Sequence, residues 1–132
     1  MRIISFKHFD INKILDQIKN DIGDTNIELG YVLLDNKKIK GYCILLPIKK
    51  NNIIKIDWIK ADPGYGTKFL KKVENALFKK YNKIILNVSI DPNEEKNIVM
   101  RRINFYIKNK YRVYDITYRK KYGPLLHMNK QK

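Results

Sequence analysis

The segment from residue 53 to residue 90 constrains the fold more than any other part of the chain. It contains an apolar run over residues 53–60, the turn Ala61-Asp62-Pro63-Gly64-Tyr65-Gly66-Thr67, a helical pattern and a second apolar run over residues 83–90. In the first run Ile54, Ile56 and Trp58 share one face of a strand, and Lys55, Asp57 and Ile59 share the other. Beyond the turn, Phe69, Leu70, Val73, Ala76, Leu77 and Tyr81 recur at the helical period, with lysines at 68, 71, 72, 79 and 80 on much of the remaining surface. Ile84, Ile85, Leu86 and Val88 alternate little, which marks a strand covered on both faces and therefore central. A strand-helix-strand crossover sets its two strands parallel, so this segment demands a sheet with helices packed on it.

The flanks extend that sheet. Residues 2–6 read as a short strand, and Asp10 caps a helix in which Ile11, Ile14, Leu15 and Ile18 recur until Gly23 and Asp24 end it. Residues 28–34 and 39–48 are β-rich runs joined by Asp35-Asn36-Lys37-Lys38, and Asn51-Asn52 separates the second from the next strand, giving an antiparallel meander. Asp91-Pro92-Asn93-Glu94 offers an N-cap, a proline at the first helical position and an acid three residues past the cap. The helix it opens carries Ile98, Val99, Ile103, Tyr106 and Ile107 and stops at Asn109. Residues 111–118 and 124–128 close the chain as two strands, followed by a basic tail, Asn129-Lys130-Gln131-Lys132, that is expected to fray. The order β-α-β-β-β-α-β-α-β-β predicts an α/β chain of mixed type, with one domain over residues 1–132. Its central sheet is mixed, mostly antiparallel, of about seven strands, and flanked by three or four helices.

Several functional classes fall away on composition. The longest nearly continuous apolar run, residues 42–48, is far short of the ~20 residues of a membrane span. Met1-Arg2-Ile3-Ile4-Ser5-Phe6-Lys7 turns polar too soon for a secretory signal. An intracellular, cytoplasmic protein without a membrane partner, monomeric or homodimeric, is the expectation. Cys43, the single cysteine, lies inside the run Tyr42-Cys43-Ile44-Leu45-Leu46 and reads as a buried small hydrophobe. His8 and His127 are far apart and read as surface or packing residues, and no spacing suits a metal.

The formal net charge is +15. A domain this basic attracts polyanions at long range, and nine tyrosines offer surfaces on which bases stack. Yet lysine outnumbers arginine 23 to 5, and 21 isoleucines and 14 asparagines share its A- and T-rich codons, so coding bias is an equal account of the charge. The charge is also uneven. Asp10, Asp16, Asp21, Asp24 and Glu28 against Lys13 and Lys19 leave that stretch at −3 and the remainder at +18.

The turn Pro63-Gly64-Tyr65-Gly66-Thr67 suits a phosphate, because alternate glycines let backbone approach a ligand and a helix N-terminus presents N–H groups and partial positive charge. Glycine in a strand-to-helix turn also serves purely steric ends. Neither the mononucleotide P-loop, which needs Gly-Lys-Ser/Thr, nor the dinucleotide fingerprint, which needs a third glycine where this chain has Phe69, is present.

What the turn does resemble is the pyrophosphate turn of the GNAT superfamily of N-acetyltransferases, Gln/Arg-x-x-Gly-x-Gly/Ala, with Gly64 and Gly66 as its glycines and Ala61 at the Gln/Arg position. The element order resembles that fold with one N-terminal helix shortened or missing. Asn104-Phe105-Tyr106-Ile107-Lys108-Asn109-Lys110-Tyr111 is similar to the family's Phe-Tyr-x-x-x-Gly-Phe segment, and Leu126-His127-Met128-Asn129-Lys130 to its closing strand. Ala61, Lys110 in place of glycine, and Val99 in place of a frequent asparagine depart from the pattern, and the turn is a few residues short; a catalytically weakened relative stays open.

The resemblance implies acetyl-CoA as cosubstrate and acetyl transfer to an amine-bearing small molecule or protein in a ternary complex. It implies that Pro63, Gly64, Tyr65, Gly66 and Thr67 hold the pyrophosphate, and that the backbone of Trp58, Ile59 and Lys60, where the fourth and fifth strands splay, grips the thioester carbonyl and pantetheine. Tyr106 matches the tyrosine near the thioester sulfur, although it also falls on the apolar face of its helix as a core aromatic would. Asp57 lies on the strand that often carries an acidic general base; a strand aspartate paired with a neighbouring lysine is the equal alternative. In this family the first helix and the following loop border the acceptor, and here that segment is the acidic one, which favours a lysine side chain, a basic peptide or a polyamine. The rival reading is a basic nucleic-acid- or ribosome-binding module without chemistry, and a basic acetyltransferase that also contacts a polyanion satisfies both.

Overall fold

The structure is a computed structural model and describes residues 1–48 and 50–132. Among the described residues seven strands and three α-helices alternate: β1 (Arg2–Ser5), α1 (Leu15–Ile22), β2 (Leu29–Asp35), β3 (Lys38–Ile48), β4 (Ile53–Ala61), α2 (Gly66–Leu77), β5 (Lys83–Ser89), α3 (Lys96–Lys108), β6 (Arg112–Thr117) and β7 (Leu125–Gln131). The strands make one sheet in the order β1-β2-β3-β4-β5-β7-β6. β4 and β5 are parallel, as the crossover through α2 requires, whereas β1 with β2, β2 with β3, β5 with β7 and β7 with β6 are antiparallel. The mixed sheet flanked by three helices is therefore the expected one. Contacts divide the chain into two compact units, Met1–Leu46 with Ile56–Ala76 and Pro47–Lys55 with Leu77–Lys132, with the boundary inside β4.

In the first unit the hairpin between β2 and β3 closes on Asp35 opposite Lys38, with Asn36 and Lys37 both left-handed at φ 51° and 65°. That is the primed two-residue turn whose twist matches paired strands. Ile18 of α1 and Ile14 just ahead of it pack in one cluster with Val32, Tyr42 and Ile44, with Phe6, Phe9, Ile11, Ile22, Ile27, Leu34, Ile39 and Trp58 around them. Asp10 does cap, its carboxylate accepting the Asn12 N–H at 3.1 Å, but the cap serves a single 3₁₀ turn, Ile11–Lys13, and the α-helix starts only at Leu15. Gly23 ends it as expected, at φ 76° with its N–H on the Lys19 carbonyl. Cys43 is fully buried, and burial pushes its thiol up to about 12, as befits a packing residue.

In the second unit β5 buries Ile84, Leu86 and Val88. The sequence Asp91-Pro92-Asn93-Glu94 is a turn ahead of α3 and not its cap. The Asp91 carboxylate accepts the Asn93 N–H at 2.8 Å, and Glu94, which a capping box would turn back on the backbone, binds Arg102 instead. α3 starts after Glu95 without a side-chain cap and ends at Asn109, whose amide donates to the Phe105 carbonyl at 2.7 Å. Lys110, at the glycine position of the resembled segment, holds a left-handed φ of 74°, so the backbone keeps the conformation glycine serves, at a cost of about 1 kcal/mol. The tail does not fray: residues 129–131 continue β7 along β5, Gln131 opposite Lys83, and the Lys132 N–H reaches the Asn82 carbonyl at 2.9 Å. A full partner strand offsets the entropy of ordering the end.

Candidate functional site

Pro63-Gly64-Tyr65-Gly66-Thr67 lies between β4 and α2, inside the first unit. Gly64 has φ 88°, and a Cβ built there meets nothing within 4 Å, so the glycine serves the backbone path while the space beside it stays open. The first helical bond runs from the Phe69 N–H to the Tyr65 carbonyl at 2.9 Å. The N–H groups of Gly66, Thr67 and Lys68 precede it and have no intrahelical acceptor. An anion fits such an end, and the open side of Gly64 admits one.

Long-range bonds hold this turn in place. Tyr65 donates its hydroxyl to Asp35 on β2 at 2.8 Å, which raises its own pKa, and the Lys40 ammonium stands 5.6 Å from the centre of its ring. The Asp62 N–H bonds the Lys40 carbonyl at 2.8 Å. Tyr65 is thus an anchor of the turn through its side chain. Gly41 on β3 completes the arrangement: a Cβ there would stand 2.7 Å from the Lys60 carbonyl oxygen and 3.2 Å from the Ala61 Cα, so only glycine lets β3 come this close to the end of β4.

β4 itself changes character along its length. Its parallel ladder with β5 covers Ile53, Ile54 and Lys55, three of its nine residues. The backbone of Trp58, Ile59 and Lys60 lies beyond that ladder. Asp57 is exposed in the same stretch.

A second constellation in this unit was not legible as a site. Asp21, in the last turn of α1, accepts the Tyr42 hydroxyl from β3 on Oδ2 at 2.7 Å and the Lys60 ammonium from β4 on Oδ1 at 2.9 Å. The Tyr42 hydrogen bond first, then that of Lys60, holds the Asp21 carboxyl below the usual carboxylate range. Burial, joined by the Asp21 carboxylate, drives the Tyr42 phenol far up. The Trp58 indole N–H lies beside the Tyr42 hydroxyl, buried, and makes no hydrogen bond of ordinary geometry among the described residues. One signal pointed this way: Asp21 follows the buried Ile18 by three positions and so shares the inward face of α1.

In the second unit, Tyr106 on α3 sits edge-on to Phe105 and Tyr111, with ring centres 5.2 and 5.7 Å away. Burial pushes its phenol up to about 12, against the opposing charge of Arg102. It is a neutral donor at neutral pH. Val99 is buried core. His127 bridges Asn87 at 2.8 Å and Thr117 at 2.7 Å across neighbouring strands, a packing role in keeping with its reading from sequence. Among the described residues no cluster of His, Cys, Asp or Glu could hold a metal, and no helix is long and apolar enough to cross a membrane.

No family model matches the chain. An uncharacterized N-acetyltransferase of Acanthamoeba polyphaga mimivirus is 28% identical over 112 residues, which is 83% of this chain. The chain spans about a quarter of that relative's length, 26%. Among solved structures, an aminoglycoside 6'-N-acetyltransferase complexed with coenzyme A superposes with a TM-score of 0.74 at 13% identity, covering 99% of this chain and 97% of the other. A Bacillus subtilis acetyltransferase in complex with CoA gives 0.71 at 12% identity, over 99% and 98%. At such identities the likeness is one of fold, and the fold of this chain is that of the GNAT acetyltransferases.

Proposed function

We propose that the chain is an acetyl-CoA-dependent N-acetyltransferase acting on a primary amine by direct attack in a ternary complex. One observation carries the reading: in a fold shared with CoA-bound acetyltransferases, the β4–α2 turn keeps Gly64 left-handed and open beside the N–H groups that begin α2 and lack an intrahelical acceptor.

Acetyl-CoA supplies an acyl group activated as a thioester. The chain's own part is to bind and to manage protons. The α2 N–H groups of Gly66, Thr67 and Lys68 bind anionic oxygen, with Pro63 and Gly64 shaping the approach and Tyr65 fixing it. The backbone of Trp58, Ile59 and Lys60 offers hydrogen bonds to a carbonyl and to an amide-bearing arm. Tyr106, protonated at neutral pH, carries on its hydroxyl a proton for a departing sulfur. Asp57 relays the amine's proton through water, since a carboxylate is a weak base for an amine.

The acceptor we favour is cationic. Of the five acids between Asp10 and Glu28, Asp10, Asp16, Asp24 and Glu28 are exposed, and Asp21 is held ionised. The aminoglycoside enzyme of the same fold acts on a substrate of that class. The +15 charge supports an additional contact with a polyanion through the basic surface.

Calorimetry with acetyl-CoA, followed by an amine screen scored by mass gain, tests the reading. Gly64→Ala, which forces a Cβ into a left-handed backbone, weakens acetyl-CoA binding, and Tyr106→Phe lowers turnover about 100-fold. Absence of any heat with acetyl-CoA, alongside steeply salt-dependent binding of a generic oligonucleotide, replaces it by the binding-module reading.

A further inference from the structure

Asp21 is an unusual place to spend a carboxylate. It faces inward from α1 with only 16% of its side chain exposed, and it is ordered on one oxygen by Tyr42, a residue 1% exposed. A carboxylate partly shielded from water is stabilised by a cation. The chain supplies one from Lys60, and that cation is the least fixed member of the group. Its side chain is 46% exposed, and one of its three N–H donors reaches Asp21. The others are fixed: Tyr42 sits in the core cluster and Trp58 packs against it.

We infer that Asp21, framed by Tyr42 and Trp58, is the seat of the acceptor's ammonium group, and that Lys60 is a built-in competitor which occupies the seat until a cationic amine displaces it. The chemistry of the frame fits an alkylammonium. Asp21 provides the charge, and the Tyr42 hydroxyl, donated to its Oδ2, holds the carboxylate in place. The Trp58 ring, packed against the core cluster beside Tyr42, provides an aromatic surface. Trp58 and Lys60 flank Ile59, so the seat adjoins the backbone proposed above to hold the acyl donor. An anionic or neutral acceptor has no means of releasing Lys60. The displaced lysine swings into solvent on its flexible stem at small cost.

For its chemical use the inference rests on the acetyltransferase reading, but it is tested apart from it. Trp58 is the only tryptophan, so its emission reports the seat directly. Titration of the full chain with the triamine spermidine, without acetyl-CoA, shifts that emission saturably, whereas a neutral polyether of equal length leaves it unchanged. Asp21→Asn weakens spermidine on the order of 100-fold. Lys60→Gln does the opposite and tightens it about 10-fold, because the competitor is gone. A structural ion pair predicts no such gain, so Lys60→Gln binding as the wild type or more weakly overturns the inference. Asp21→Asn binding spermidine like the wild type overturns it as well. Should Asp21→Asn fail to fold by circular dichroism, the exposed Lys60 variant still decides. If acetyl-CoA gives no heat while the amine series behaves as stated, the acyl-transfer reading falls alone; if acetyl transfer to spermidine survives Asp21→Asn unchanged, the seat falls alone.

Discussion

Two carboxylates of this protein are each paired with one cationic side chain, and they differ in the reach, geometry and solvent exposure of the pair. Asp21 receives its partners from 21 and 39 positions away in sequence. Glu94 is met by Arg102 eight positions on, in a bidentate pair at 2.7 and 3.2 Å. The Asp21 side chain is 16% exposed and rests on a buried tyrosine, whereas Glu94 and Arg102 are 33% and 37% exposed. Both carboxyls are held below their ordinary pKa, by Tyr42 foremost at Asp21 and by Arg102 foremost at Glu94. The contrast lies in geometry and solvent. The planar guanidinium matches both oxygens of Glu94 and closes the pair, which staples the turn ahead of α3 to the helix. Asp21 keeps one oxygen for a fixed neutral donor and leaves the other to a single lysine on the surface, an arrangement open to exchange.

Replacement of Asp21 by Asn tests the contrast most strongly. It leaves Tyr42 and Lys60 with a neutral acceptor and costs about 1–2 kcal/mol in denaturant unfolding. Tyr42→Phe, which removes the hydroxyl but keeps the ring in the core, costs about 1 kcal/mol by the same measurement. A smaller effect is expected in acid. Because the folded Asp21 carboxyl titrates below its unfolded value of ~3.9, its contribution is complete above that value and disappears as pH falls through the lowered one. The stability gap between wild type and Asp21→Asn measured at neutral pH therefore closes at low pH. Glu94→Gln is expected to change stability by no more than ~0.5 kcal/mol, an effect that added salt erases. A Glu94 variant as costly as the Asp21 one would dissolve the distinction between the two pairs.

Much of the scaffold was legible, because the signals that specify it are local. The apolar faces of α1 and α2 and the hairpin at Asn36-Lys37 each follow from side-chain period or turn chemistry within a few residues. β5 is interior to the sheet as expected but is not covered on both faces, since Ile84, Leu86 and Val88 are buried while Asn87 between them is exposed. Caps were less legible. Asp10 and Asp91 had the right chemistry for helix starts, yet each bonds a short turn, because a side chain that can cap can equally close a local Asx turn. The end of β7 was misread for a different reason: Asn129, Lys130 and Gln131 have polar side chains, but what orders them is the backbone ladder with β5, to which side-chain polarity says little.

The site divides along the same line. The glycine turn and the strand before it could be placed from residue types alone, since left-handed backbone and a helix N-terminus are local demands, and Gly64 at φ 88° meets one of them. That the turn is anchored through Tyr65 to Asp35, 30 positions away, and that Gly41 makes room for the end of β4 depends on residues far apart in sequence coming together. By itself the sequence determined that an acidic stretch, residues 10–28, precedes a strand, a glycine turn and a basic helix. Only the tertiary structure decided which of its five acids, Asp21, is held against a buried tyrosine and a movable lysine. The physical reason is that charge is counted along the chain, whereas desolvation and pairing are set by which faces meet across space.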